Sequence, residues 1–141
     1  MVNLSALSTE LIKKGWKLAM DVEPVLPGMK GDIEYVSFLR ADEIFISDEE
    51  LVERAFDLGA ELGQRDAEWI VEHQGMLSEC PEEVRYLLFP GTAWEHLNGA
   101  WLYVYLYRTG KEEKKWDLYV LWMDFGFSDR VRLVRPAQAT S

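Results

Sequence analysis

Trp101-Leu102-Tyr103-Val104-Tyr105-Leu106-Tyr107 is the stretch that decides the fold class. It alternates with period two. Trp101, Tyr103, Tyr105 and Tyr107 fall on one side; Leu102, Val104 and Leu106 fall on the other. Successive side chains of a β-strand point to opposite faces, so this is a strand with an aliphatic face and an amphipathic aromatic face. The segment 114–124 follows after Thr109-Gly-Lys-Glu-Glu113 and is expected to pair with it antiparallel.

Register settles which face is the core. With Arg108 opposite Lys114, Leu106, Val104 and Leu102 face Trp116, Leu118 and Val120. Tyr107, Tyr105 and Tyr103 then face Lys115, Asp117 and Tyr119. A slip of one residue would put Asp117 opposite Leu106, and burying an unpaired carboxylate costs several kcal/mol. The first register is therefore expected, with the aliphatic face as the core side. Trp101, Tyr103, Tyr105, Tyr107, Tyr119 and Asp117 become the candidate partner-binding face, because Tyr and Trp supply large contact areas at modest entropic cost. The alternative is that the chain's own helix covers them.

Upstream, Asn98-Gly99 marks a tight hairpin turn, with a short strand expected at 92–96 before it. Pro81 to Leu88 reads as a short helix with proline in its first turn, and Pro90-Gly91 as a turn. Arg130 to Val134 is a final strand, and the tail from Ala137 should fray.

The N-terminal half is richer in helix. Leu4, Leu7, Leu11 and Ile12 predict a helix over 4–14, stopped at Gly15. Alternation over 16–22 predicts a strand, Pro24 to Asp32 a loop, and Ile33 to Leu39 a second strand, with Ile44-Phe-Ile46 as its continuation or a separate one. Ser47 and Glu50 form a capping box, and the periodicity beyond them predicts one helix from 47 to about 74, roughly 40 Å long at about 1.5 Å per residue. Ala55, Gly59, Gly63 and Ala67 would make a ridge of small residues along it, suited to close internal packing or to a dimer seam.

These elements predict a single α+β domain over 1–141, helix-rich in 1–75 and β-rich in 90–136. A twisted antiparallel sheet, a C-terminal meander extended by the N-terminal strands, packs on the long helix. A small β-barrel with helices is the alternative. The length suffices for one core, and 48% hydrophobic content with six each of Trp, Tyr and Phe suits a globular chain. No apolar run approaches the roughly 18 residues of a membrane span, so no membrane is expected. The first residues lack signal-peptide character, and the single cysteine, Cys80, leaves no internal disulfide; the expected compartment is cytoplasmic.

The net charge of −10 argues against nucleic acid as a partner and favours a basic protein partner. Arg130, Arg132 and Arg135 beside the tyrosines could hold a single strand locally, against that overall charge. Asp42, Glu43, Asp48, Glu49, Glu50 and Glu53 form an acidic patch. Such a run at a helix start is ordinarily cap and solvated face; the sharper readings are a cation site or a dock for a basic partner.

No catalytic motif is present. His73, His96 and Cys80 lack the spacing of a metal site. Glu79, Glu82 and Glu83 would raise the Cys80 thiol pKa rather than activate it. No nucleophile elbow or phosphate loop occurs, and no cofactor is implied. Three functions follow as expectations. The first is a non-enzymatic protein-binding domain of inhibitor, immunity or adaptor type. The second is an acidic nucleic-acid mimic. The third is a small enzyme or ligand-binding protein with a pocket between helix and hairpin, containing His73, His96 or paired carboxylates.

Overall fold

The computed structural model describes residues 6–28, 32–39, 42, 48–78, 80–109, 115–121 and 130–137. Their order is α1 (Ala6–Lys13), β1 (Lys17–Met20), β2 (Ile33–Val36), α2 (Asp48–Asp57), α3 (Gln64–Glu72), β3 (Tyr86–Glu95), β4 (Trp101–Thr109), β5 (Lys115–Leu121) and β6 (Val131–Pro136). Short 3-10 turns occupy Leu26–Gly28 and Gln74–Leu77. The fold is mixed α+β on an open six-stranded sheet rather than a closed barrel.

The sheet runs β2-β6-β3-β4-β5, and β1 pairs with the second half of β3. The N-terminal strands therefore extend the C-terminal ones. The sheet is not wholly antiparallel, since β6 lies parallel to the first half of β3. β3 begins where a helix was expected. Val84, Leu87, Leu88 and Phe89 are all buried, and an apolar run closed off on both faces belongs to a central strand. Pro90-Gly91-Thr92 stays within β3 but breaks its ladder to β4 between Phe89 and Ala93. A proline fits a strand where it need not donate to a neighbour.

The helix expected over 47–74 is two helices. Gly59, at φ +69°, ends α2. The Gly59 N–H donates to the Phe56 carbonyl at 3.1 Å and the Ala60 N–H to the Ala55 carbonyl at 2.8 Å. These two bonds are a Schellman termination. The small-residue ridge consequently does not exist as one stripe. Gly63 sits before α3, whose first N–H, at Gln64, donates to Thr92 Oγ1 at 2.8 Å.

This break places helices on both faces of the sheet. α2 packs with Leu88, Ala93, Tyr103, Tyr105 and Leu133. α1 and α3 pack with Leu87, Phe89, Trp94, Val104 and Leu106 on the other face. Ala60 belongs to the first cluster and Leu62 to the second, so the chain changes faces there. It does so beside the β3 irregularity, where the Gly91 N–H donates to the Leu62 carbonyl at 2.8 Å. No helix among the described residues is long and apolar enough to cross a membrane.

β4 and β5 pair antiparallel with the expected faces but two residues out of the expected register. Arg108 lies opposite Trp116, Tyr107 opposite Asp117, Leu106 opposite Leu118 and Tyr105 opposite Tyr119. A two-residue shift preserves every side chain's face.

Candidate functional site

The row Leu102, Val104, Leu106 on the aliphatic face of β4 ends in a cation, Arg108. Its side chain is buried, at 7% exposure. The guanidinium carbon lies over the ring of its cross-strand neighbour Trp116, 4.6 Å from the centroid. Its two main-chain contacts are long: Nη1 donates to the Glu82 carbonyl at 3.5 Å and Nη2 to the Cys80 carbonyl at 3.4 Å. Nε is buried and meets no acceptor. No carboxylate among the described residues forms an ion pair with Arg108.

Arg108 borders a pocket of about 290 Å³ between the end of α3 and the β4–β5 hairpin. One wall comes from the 3-10 turn Gln74–Leu77, which continues α3 after the His73 N–H closes on the Ile70 carbonyl. That turn brings Gln74 to the backbone of Trp116. Nε2 donates to the Trp116 carbonyl and Oε1 accepts its amide N–H, both at 3.0 Å. Leu77 and Trp116 are the apolar lining; Ser78, Cys80 and Glu82 complete it. Burial pushes the Cys80 thiol above its ordinary pKa; the positive charge and hydrogen bond of Arg108 oppose this, and Glu83 adds to it. The rise comes mainly from burial, with Glu83 the smaller contributor. The chemistry on offer is recognition of an anionic group beside an aromatic and aliphatic wall.

The expected site residues fall elsewhere. Tyr103 and Tyr105 are buried beneath α2, and Tyr107 and Asp117 are half-buried. Trp101 and Tyr119 are each 41% exposed. Tyr86, Tyr105, Tyr107 and Tyr119 form one aromatic cluster, with centroids 5.0 Å apart for Tyr86–Tyr107 and 5.7 Å for Tyr105–Tyr119. Burial first, then Tyr86, Tyr119 and Tyr107, push the Tyr105 phenol up to about 12. Of the acidic patch, Asp42, Glu49 and Glu53 are exposed, and Glu50 pairs with Arg54 at 3.0 Å. Glu43 and the Asp48 side chain lie outside the described residues, as does the Ile44–Ile46 segment. His73 stacks on Trp69 at 4.2 Å and His96 lies edge-on to Trp16 at 5.1 Å, so neither lines the pocket. Among the described residues no group of three His, Cys, Asp or Glu could hold a metal ion.

Sequence reasoning missed Arg108, Gln74 and Glu82. The available signal was a cation continuing an aliphatic row on a strand whose partner contributes a tryptophan. No protein-family model, no curated protein and no solved structure matches the chain.

Proposed function

We propose that this protein is a binding domain for a small anionic molecule, held in the pocket between α3 and the β4–β5 hairpin. The observation that carries the reading is the buried Arg108 guanidinium, which borders the pocket without a carboxylate partner. Withdrawing a cation from water costs several kcal/mol unless charge and hydrogen bonds replace the solvent. Stacking on Trp116 returns on the order of 2 kcal/mol at a desolvated site, and two bonds of 3.4–3.5 Å are weak. A bound carboxylate would supply the missing charge, for which the planar arginine fork is suited. A pocket of 290 Å³ sits at the small end of the range for ligand sites.

The test is a titration of the protein with small carboxylates, followed by tryptophan emission and by melting temperature. Trp116 lies against the cation and should report occupancy. Binding by wild type and its loss in Arg108→Met, with the apo fold retained, support the reading. No response to any carboxylate at millimolar concentration sinks it.

A second reading, a protein-binding adaptor or inhibitor domain, draws on the exposure of Trp101 and Tyr119 at 41% each. A partner retained by wild type and released by Trp101→Ala with Tyr119→Ala would support it. Identical retention by wild type and the double variant would discard it.

A further inference from the structure

Glu82 lines the same pocket as Arg108, and the two side chains do not pair. Arg108 touches Glu82 only through the main-chain carbonyl, at 3.5 Å. Opposite charges bordering one small cavity ordinarily close on each other, because their attraction grows as water is excluded. Here the guanidinium is held in place, and so is the backbone that bears Glu82. The guanidinium is fixed over Trp116 and against the Cys80 and Glu82 carbonyls. The Glu82 segment is held in a turn by the Val84 N–H, which donates to the Pro81 carbonyl at 3.0 Å. The cavity is thus bordered by one cationic and one acidic residue.

Resting on the anion-pocket reading, we infer that the ligand is a compact zwitterion, a free α-amino acid. Its carboxylate lies on Arg108 and its ammonium on Glu82, and its side chain lies against Leu77 and Trp116. Charge complementarity selects this class. A simple carboxylate would neutralise Arg108 while placing a second negative charge near Glu82. A dianion would do so more strongly. A neutral zwitterion answers both charges at once. Ser78 adds a hydroxyl that can donate to the carboxylate or accept from the ammonium.

The experiment titrates wild type with the L-amino acids one at a time by calorimetry. The best of them is then compared with its N-acetyl derivative, which lacks the ammonium, and its amide, which lacks the carboxylate. A hydrogen bond to a charged group is worth about 1.5–3 kcal/mol, so the free amino acid is expected to bind at least about tenfold more tightly than either derivative. Glu82→Gln should weaken the amino acid by a similar factor and leave the N-acetyl derivative unchanged; the exposed position of Glu82 keeps this variant folded. Arg108→Met should remove binding of both. Equal affinity for the N-acetyl derivative and the amino acid, or an ineffective Glu82→Gln, overturns the zwitterion and leaves the anion pocket standing. Failure of every carboxylate to bind removes both.

Discussion

Gln74 pairs with the main chain of Trp116 as a neighbouring strand would. Its amide donates to the Trp116 carbonyl and accepts the Trp116 N–H, each at 3.0 Å. One side chain therefore completes the outer hydrogen bonds of β5 at the residue whose ring supports Arg108. Losing it would leave a part-buried donor and acceptor unmatched, which costs about 1–3 kcal/mol. Gln74→Leu should lower stability by that amount, measured by urea unfolding. Gln74→Glu keeps an acceptor for the Trp116 N–H but loses the donor, so it should fall between. A Gln74→Leu variant within about 0.5 kcal/mol of wild type, the range of an ordinary surface change, would show that this pairing adds nothing.

Tyr105 links the aromatic cluster to alkaline stability. Its phenol is raised from 10.0 to about 12 in the fold. The folded value exceeds the unfolded one, so the protonated phenol favours the fold. The contribution is complete below pH 10 and is lost as pH rises through about 12. The unfolding midpoint should fall across that interval, and tyrosinate absorbance should show a late phase near its upper end. Tyr105→Phe removes the ionisable group and should flatten the decline. The same alkaline decline in wild type and Tyr105→Phe would remove Tyr105 from the account.

Gly91 and Gly59 serve different ends. A Cβ on Gly91 would lie 2.9 Å from both the Glu61 carbonyl oxygen and the Leu62 carbonyl carbon. Those are backbone atoms of the face-changing segment, and they cannot swing aside as a side chain could. Gly91→Ala should cost about 1–3 kcal/mol, as overpacking does. At Gly59 a Cβ would meet nothing within 4 Å, and only the φ of +69° restricts the residue. Asparagine enters that conformation more readily than other side chains, so Gly59→Asn should cost less than Gly91→Ala. Urea midpoints order the two, and the reverse order would deny the close approach at Gly91.

Gly59, with Gly63, also marks where the sequence misleads. Gly59 and Gly63 fall four apart within a helical period, and that spacing fits a packed ridge as well as a helix end. The main-chain bonds from Gly59 and Ala60 back to Phe56 and Ala55 distinguish them, and these depend on φ rather than on composition. The faces of β4 and β5 were readable because burying Asp117 is costly. The cost argument rejects a one-residue slip but is blind to a two-residue slip, and the pairing found differs by two. That difference matters for the pocket, since it sets Arg108 against Trp116 instead of Lys114. Gln74, Cys80 and Glu82 share one segment, but Arg108 and Trp116 come from two later strands, and no local spacing announces that meeting.

Asp66 offers a test of how α3 is tied to the N-terminal segment. It is buried in the first turn of the helix. Its Oδ1 accepts the N–H groups of Val25 at 2.9 Å and Leu26 at 2.8 Å. Burial nevertheless raises its pKa above 3.8, against the lowering effect of the Leu26 and Val25 bonds and of Arg65. A carboxyl pKa raised by folding means that this group's contribution to stability is full below 3.8 and declines as pH rises through the folded value. Asp66→Ala leaves two N–H groups without their acceptor and should cost about 2–4 kcal/mol. Asp66→Asn keeps an oxygen for both and should cost less. The pH comparison isolates the charge, because every other carboxylate is common to wild type and Asp66→Asn. Wild type should gain stability relative to Asp66→Asn as pH falls from neutrality toward 3.8. Urea unfolding across that range measures the difference. A relative loss by wild type would mean that the backbone bonds and Arg65 outweigh burial at this carboxylate.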